Sequence, residues 1–241
     1  ISTGSKKSVD IKYLNPFHFW SWENLGSTNK GLNAFLYTGF TWLFQPGLRL
    51  FGEVIIDDVN FHTKDAFYLN RYGYLLGFQK TQFPFNSSNF WFEYSNVLNQ
   101  VYQSFHPTHI YTHRGYPIGH YLGNDFISTR IRYSQIFNQR QVKAFIDLSY
   151  LIDGNNGLET LFDNPWENEN GEMIEGYKPP AHPTPPTTNI AEAEIGAEIS
   201  IGSSTYITIS SRYYRLSSPE NSSSNLGLGL RIWSYFNLLN I

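Results

Sequence analysis

Between Ile190 and Ile201 the chain reads Ile-Ala-Glu-Ala-Glu-Ile-Gly-Ala-Glu-Ile-Ser-Ile, and every Glu falls on one parity. Ala191, Ala193, Ile195, Ala197, Ile199 and Ile201 take the other. Successive side chains of a strand point to opposite faces, so this segment has one apolar wall and one charged wall. The pattern recurs in residues 126–137, where Ile127, Thr129, Ile131, Tyr133 and Phe137 oppose Ser128, Arg130, Arg132 and Ser134. In 142–153, Val142, Ala144, Ile146, Leu148, Tyr150 and Ile152 oppose Lys143, Asp147, Ser149 and Asp153. Residues 48–57 put Arg49, Glu53 and Asp57 opposite Leu48, Leu50, Val54 and Ile56, and residues 226–237 put Arg231 opposite a leucine row.

Extended segments are predicted at about 9–19, 31–45, 47–57, 67–80, 89–103, 125–138, 141–153, 190–202, 204–216 and 225–240. Most match the roughly 9–11 residues that a tilted strand needs to cross a bilayer. Two are less regular: Pro16 belongs at a rim rather than in a central ladder, and residues 67–80 place Leu69 and Leu75 on the face of Arg71 and Gln79. Short connections at 45–47, 81–88, 138–141 and 202–204 alternate with long ones at 20–30, 58–66, 104–124, 154–189 and 217–224. Outer-membrane barrels have short periplasmic turns and long external loops. The fold expected is therefore all-β, a single antiparallel transmembrane β-barrel domain over 1–241 with about ten strands. Both chain ends are expected on the periplasmic side, and Ile131, Leu148, Ile195, Ile199 and Leu228 are expected to face lipid.

An Arg or Lys facing lipid at mid-depth costs about 2–4 kcal/mol, whereas a charge facing a wet lumen is hydrated or paired. The predicted lumen charges are Arg49, Glu53, Asp57, Arg71, Glu93, Arg130, Arg132, Lys143, Asp147, Glu192, Glu194, Glu198, Arg212 and Arg231. Seven are basic and seven acidic. Such a set either pairs across neighbouring strands as filling or lines a path for a ligand or ion.

Composition narrows the partners. A net charge of −3 with no Lys/Arg run excludes the electrostatic footprint of a nucleic-acid binder. No run of about 18 apolar residues is present, so a helical membrane span is not expected. Aromatic residues make up 17 % of the chain, which suits girdles at membrane interfaces. The absence of cysteine removes disulfides and thiolate zinc sites. Residues Ile1 to Ser8 carry no apolar signal core, which says nothing against export.

Four of the seven histidines, His106, His109, His113 and His120, fall in residues 104–124. Imidazoles ligate metals, but no carboxylate lies inside this cluster, and Pro107 and Pro117 forbid a helix that would align them. The expectation is no metal and no cofactor. An ordered loop shaped by Gly115, Gly119 and Gly123 is the alternative. Tyr111, Tyr116 and Tyr121 would offer flat faces to sugar rings, with His113, Arg114, His120, Asn124 and Asp125 as hydrogen-bonding groups. Residues 154–189 run from an acidic half to a Pro-rich half and read as an external loop. No Gly-x-Ser-x-Gly elbow, phosphate loop or His-Glu-x-x-His is present, so no enzymatic activity is expected. Asp57, Asp58 and His62 only faintly resemble a protease rim, because adjacent strand residues point opposite ways.

Two stretches carry a family resemblance: Leu48-Arg-Leu-Phe-Gly-Glu53-Val-Ile-Ile-Asp57-Asp58, and Tyr111-Thr-His-Arg114-Gly115-Tyr-Pro117-Ile-Gly119-His120-Tyr-Leu-Gly123-Asn-Asp125. Together they resemble the Wzi-type capsule assembly family, in which the second stretch has the form Arg-Gly-x-Pro-[Leu/Ile]-Gly-His-x-Leu-Gly-x-Asp. The resemblance spans roughly 15–140 and implies the C-terminal half of a larger, lectin-like outer-membrane barrel that follows a periplasmic helical part. It implies a bacterial outer-membrane location, contact with lipid and surface polysaccharide, and polysaccharide binding by Tyr111, His113, Arg114, Tyr116, His120, Asn124 and Asp125. A porin-like diffusion channel and a structural barrel assembled with other envelope proteins are the alternatives.

Overall fold

The structure, a computed structural model, describes residues 36–58, 71–103, 112–113, 116–117, 119–137, 142–158, 160, 181–201 and 205–234. Among the described residues nine strands build one antiparallel sheet: β1 (Leu36–Gln45), β2 (Leu48–Asp58), β3 (Arg71–Thr81), β4 (Ser88–Val97), β7 (Phe126–Phe137), β8 (Val142–Asp153), β9 (Thr188–Ile201), β10 (Thr205–Ser217) and β11 (Ser222–Ser234). Two short strands, β5 (Thr112–His113) and β6 (Tyr116–Pro117), pair with each other apart from it. Each long strand pairs with the next one in the chain, so the sheet is an open meander running from β1 to β11. The all-β, antiparallel expectation holds for nine of the segments, and the 9–19 segment lies outside the described residues. No helix among the described residues is long and apolar enough to cross a membrane, a test that does not apply to strands.

The pairing is nearly free of slips, so residues on one face line up in rows across the sheet. One row is Arg49, Gln79, Trp91, Arg132, Asp147, Glu194 and Arg212; the next is Phe51, Gly77, Glu93, Arg130, Ser149, Glu192 and Tyr214. The opposite face carries Leu50, Phe78, Phe92, Ile131, Leu148, Ala193 and Tyr213 in register. A one-residue slip would exchange the two faces, so the alternation in the sequence and the observed register enforce each other.

Two boundaries differ from expectation. The 89–103 segment leaves the sheet at Val97, and 98–103 coils back through Val101 N–H to Leu98 O (3.3 Å) and Gln103 N–H to Gln100 O (3.4 Å). The last strand begins at Ser222 rather than 225, which shrinks the expected 217–224 loop to 218–221. The run Asn221-Ser-Ser-Ser has turn chemistry, yet its serines pair with Ser217, Leu216 and Arg215. The tight turn is closed by Ser218 N–H donating to Asn221 O at 2.8 Å. Long connections thus dominate one end of the sheet without holding at every crossing.

Close packing on the charged face depends on glycine at two sites. A Cβ on Gly77 would lie 2.3 Å from Phe51 Cζ, and one on Gly196 would lie 2.7 Å from Phe145 Cζ. In each case the ring of one strand covers the bare backbone of its neighbour. Gly77→Ala should therefore displace the Phe51 ring from Trp91, on which it stacks at 6.1 Å, and cost about 1–3 kcal/mol. Near-UV dichroism and thermal unfolding check this; unchanged spectra and melting would mean that the ring relocates freely.

Burial is concentrated at the end of the sheet bearing the long connections. Val97, Val101, Tyr102 and Phe126 form the buried cluster, packed against Ile55, Leu98, Leu122, Leu151 and Leu158. Val97, Phe126, Ile55 and Leu151 lie on the same face as the charged rows but nearer the long connections. The segments 98–103, 119–125 and 154–158 therefore fold inward over that face.

Candidate functional site

The sheet positions two groups of polar residues. In the middle of the charged face, Arg130 forks onto Asp147, with Nε to Oδ1 at 2.9 Å and Nη2 to Oδ2 at 2.6 Å. Arg132 reaches the same carboxylate, with Nε to Oδ2 at 2.9 Å and a second, shorter contact from Nη2. Lys143 pairs with Glu198 at 3.8 Å, and Arg212 with Glu192 at 2.7 Å. Aromatic rings interrupt the charges: the Arg49 guanidinium lies 5.4 Å over Phe51, and that of Arg130 lies 5.9 Å from the Trp91 centroid. Bidentate arginine pairs hold fixed geometry, so this face presents set donors and acceptors between flat apolar patches.

Of the expected lumen charges, Arg49, Glu53, Glu93, Arg130, Arg132, Lys143, Asp147, Glu192, Glu194, Glu198, Arg212 and Arg231 share this face by register. Asp57 departs from that set. It sits at the irregularity between Ile56 and Asp58 in the β2–β3 pairing, and its Oδ2 accepts the Tyr102 N–H at 3.0 Å. Its carboxylate therefore anchors the 98–103 segment.

The second group ties the long connections together around Asp125, which is fully buried. Its Oδ2 accepts the Asn156 N–H at 2.9 Å, its Oδ1 accepts the Thr184 N–H at 2.9 Å, and His182 Nδ1 lies 3.3 Å from Oδ1. His182 Nε2 in turn meets Asn96 Oδ1 at 2.8 Å. Asn124 donates to Asn99 O at 2.5 Å and to Asn156 O at 3.1 Å. Asn99 Nδ2 donates to Thr184 Oγ1 at 3.1 Å, and Gln103 Nε2 to Gly157 O at 3.0 Å. Burial alone would raise the Asp125 carboxyl, but the hydrogen bonds from His182 and from the Thr184 and Asn156 backbone outweigh it and hold its pKa below the ordinary value.

Beside this latch stands a stack of three rings. The His120 ring lies 4.6 Å from that of Phe126 and 4.6 Å from that of Tyr121, tilted by 36° and 30°. Burial pushes the His120 pKa down to about 4, so the imidazole is neutral, and its Nδ1 accepts the Leu122 N–H at 3.2 Å. Tyr121 is 71 % exposed. Its hydroxyl is raised above its usual pKa by desolvation and by Glu93, Glu192 and Asp147, with Arg130 opposing, so it lies within electrostatic reach of the charged rows.

The residues expected to bind polysaccharide thus separate. Tyr111 and Arg114 lie outside the described residues, and for His113 and Tyr116 the backbone alone is described, paired across β5–β6. His120 supports the exposed Tyr121 ring. Asn124 and Asp125 are buried and committed to the loop latch, so neither offers a free face to a ligand. Among the described residues no group of three His, Cys, Asp or Glu is placed to hold a metal. Sequence reasoning passed over Phe51, Trp91 and Phe145, because an aromatic at a polar parity has meaning only once its cross-strand neighbours are known. It also passed over His182, Asn99, Thr184 and Asn156, which carry no motif. Comparison with protein-family models, with characterised proteins and with solved structures finds no match for this chain.

Proposed function

We propose that this sheet is the wall of an outer-membrane β-barrel that holds polysaccharide at the bacterial surface through its loop-covered end. The observation that carries the membrane reading is the distribution of charge between the faces. Among the strand residues whose side chains are described, the apolar face bears charge at Lys80 and Arg215 alone, close to the ends of β3 and β10. On β11, Leu226, Leu228 and Leu230 of this face stand 73 %, 89 % and 70 % exposed. A sheet face this apolar is stable only against another apolar layer. The described residues supply none, their buried apolar residues being the four at the loop end. Bilayer hydrocarbon fits, because strands of 10–14 residues span it when tilted. Tyr72, Tyr74, Tyr94 and Tyr150 toward one end of this face, with Trp42, Phe90 and Phe137 toward the other, match the two aromatic girdles of such barrels.

The polysaccharide reading rests on the ring stack and on the 111–125 motif. Tyr121 offers an exposed face against the His120 ring, within electrostatic reach of Arg130, Glu93, Glu192 and Asp147. Loops folded inward over the charged face favour holding a ligand at the mouth over free diffusion through a wide pore. Tyr121→Ala and Arg114→Ala should each lower surface polysaccharide retention several-fold, with heat-modifiable migration unchanged. Retention at wild-type level in both variants would defeat the polysaccharide role. Steady conductance of the native protein in planar bilayers would replace it with a diffusion channel.

A further inference from the structure

The charged face is hollowed towards the end opposite the loops. A cavity of about 740 Å³ lies there, lined chiefly by β7 to β11. Its volume is within the roughly 300–1,000 Å³ of small-ligand sites. Phe145 reaches the cavity, its ring resting on the bare backbone of Gly196. Around it stand Asn89, Ser134, Thr208 and Ser210, four small hydrogen-bonding side chains. The charged lining is balanced: Arg132, Lys143 and Arg231 face Asp147, Glu194 and Glu198. Two of these six are uncommitted, since neither Glu194 nor Arg231 is within ion-pair distance of an opposite charge among the described residues.

We propose that this cavity is a separate binding site for a neutral saccharide, seated on Phe145 and hydrogen-bonded by Glu194 and Arg231. The chemistry selects the class. A pyranose has an apolar C–H face that covers an aromatic ring, and hydroxyls at its edge that both donate and accept. Glu194 accepts, Arg231 donates, and Ser210 and Thr208 do either. A strongly anionic chain would meet three carboxylates here, and a cationic one three basic groups; a neutral ligand meets no net charge. Because the floor ring is propped by a backbone that cannot retreat, the platform is preorganised, which lowers the ordering cost of binding. The site relies on the barrel reading only for its access, from the end bearing the short turns.

Calorimetric titration of the detergent-solubilised full chain with maltohexaose, and in parallel with hexagalacturonate, tests this. The neutral oligomer should bind in the millimolar range or tighter and the anionic one more weakly. Phe145→Ala should weaken maltohexaose binding at least tenfold, Phe145→Tyr should restore it, and Arg231→Gln should weaken it several-fold. Each variant is first checked for wild-type heat-modifiable migration. Absence of maltohexaose binding, equal binding by correctly folded Phe145→Ala, or preference for the anionic oligomer would each overturn the site. Surface retention on cells reads the loop-covered mouth instead. A failed titration with intact retention removes this cavity alone, and failed retention with an intact titration removes the surface role alone.

Discussion

Replacing Asp125 with Ala should free the 154–157 and 181–187 segments while leaving the sheet intact. The carboxylate receives two backbone N–H bonds at 2.9 Å and faces His182, all in a fully buried position. Alanine leaves those donors without an acceptor, and each unsatisfied buried group costs about 1–3 kcal/mol. Exchange of the Asn156 and Thr184 amides should therefore accelerate on the order of a hundredfold, the local unfolding equivalent of about 3 kcal/mol. Asp125→Asn should give an intermediate effect, since its amide oxygen keeps one donor and its nitrogen confronts the other. Gly154→Ala should mimic the loss, because a Cβ there would lie 2.1 Å from Asp125 Oδ2. Unchanged exchange at both amides in Asp125→Ala would show that the latch bears no load.

Acid should weaken the same region in two windows. His120 falls from 6.5 to about 4 on folding, so the unfolded segment takes up its proton first. Stability is then lost as pH drops from 6.5 towards 4 and levels off below. Asp125 has a folded pKa below its ordinary 3.8. Its contribution is complete above 3.8 and disappears as pH falls through the folded value. His120→Phe should remove the upper step and keep the lower one. Exchange protection of the 119–125 amides measured across pH separates the two.

The second large effect is expected on the apolar face. Ile195 lies midway along β9, 62 % exposed, paired with Ile146 and Ser211. Arg at this depth would face hydrocarbon at a cost of about 2–4 kcal/mol. Ile195→Arg should therefore abolish or strongly reduce assembly into lipid vesicles. Ser210→Arg, one residue away in the pairing but on the charged face, should assemble at near wild-type yield. Heat-modifiable migration after vesicle folding is the measurement. Equal yields from both variants, with monomeric protein soluble in the absence of detergent, would remove the membrane reading.

Much of the architecture is legible in the residue order because strand alternation is a local code. The parity of Glu192, Glu194 and Glu198 against Ala193, Ile195 and Ile199 assigns both faces of β9 without knowledge of its neighbours. Arg130, Arg132 and Asp147 are likewise assigned to one face by their spacing alone, and their convergence on a single carboxylate is compatible with that spacing. The same code fails where a segment stops obeying alternation. Residues 98–103 continue an extended pattern yet turn back: Leu98 N–H still donates to Tyr72 O of β3, but beyond it Tyr102 N–H goes to Asp57 and the Gln103 amide to Asn156 and Gly157.

By itself, then, the sequence determined which side chains share a face, since period two survives any arrangement of the strands. Only the tertiary structure decided what those faces hold. Phe51 became a platform through its register with Gly77, and Phe145 through Gly196, pairings that depend on which strands are neighbours. Asn124 and Asp125 read as free polar groups within a Gly- and Pro-rich motif. Folding committed them to partners 25 to 59 residues away. Contacts at that separation leave no periodic trace in the chain, because they are set by where three loops meet and not by the residues beside them.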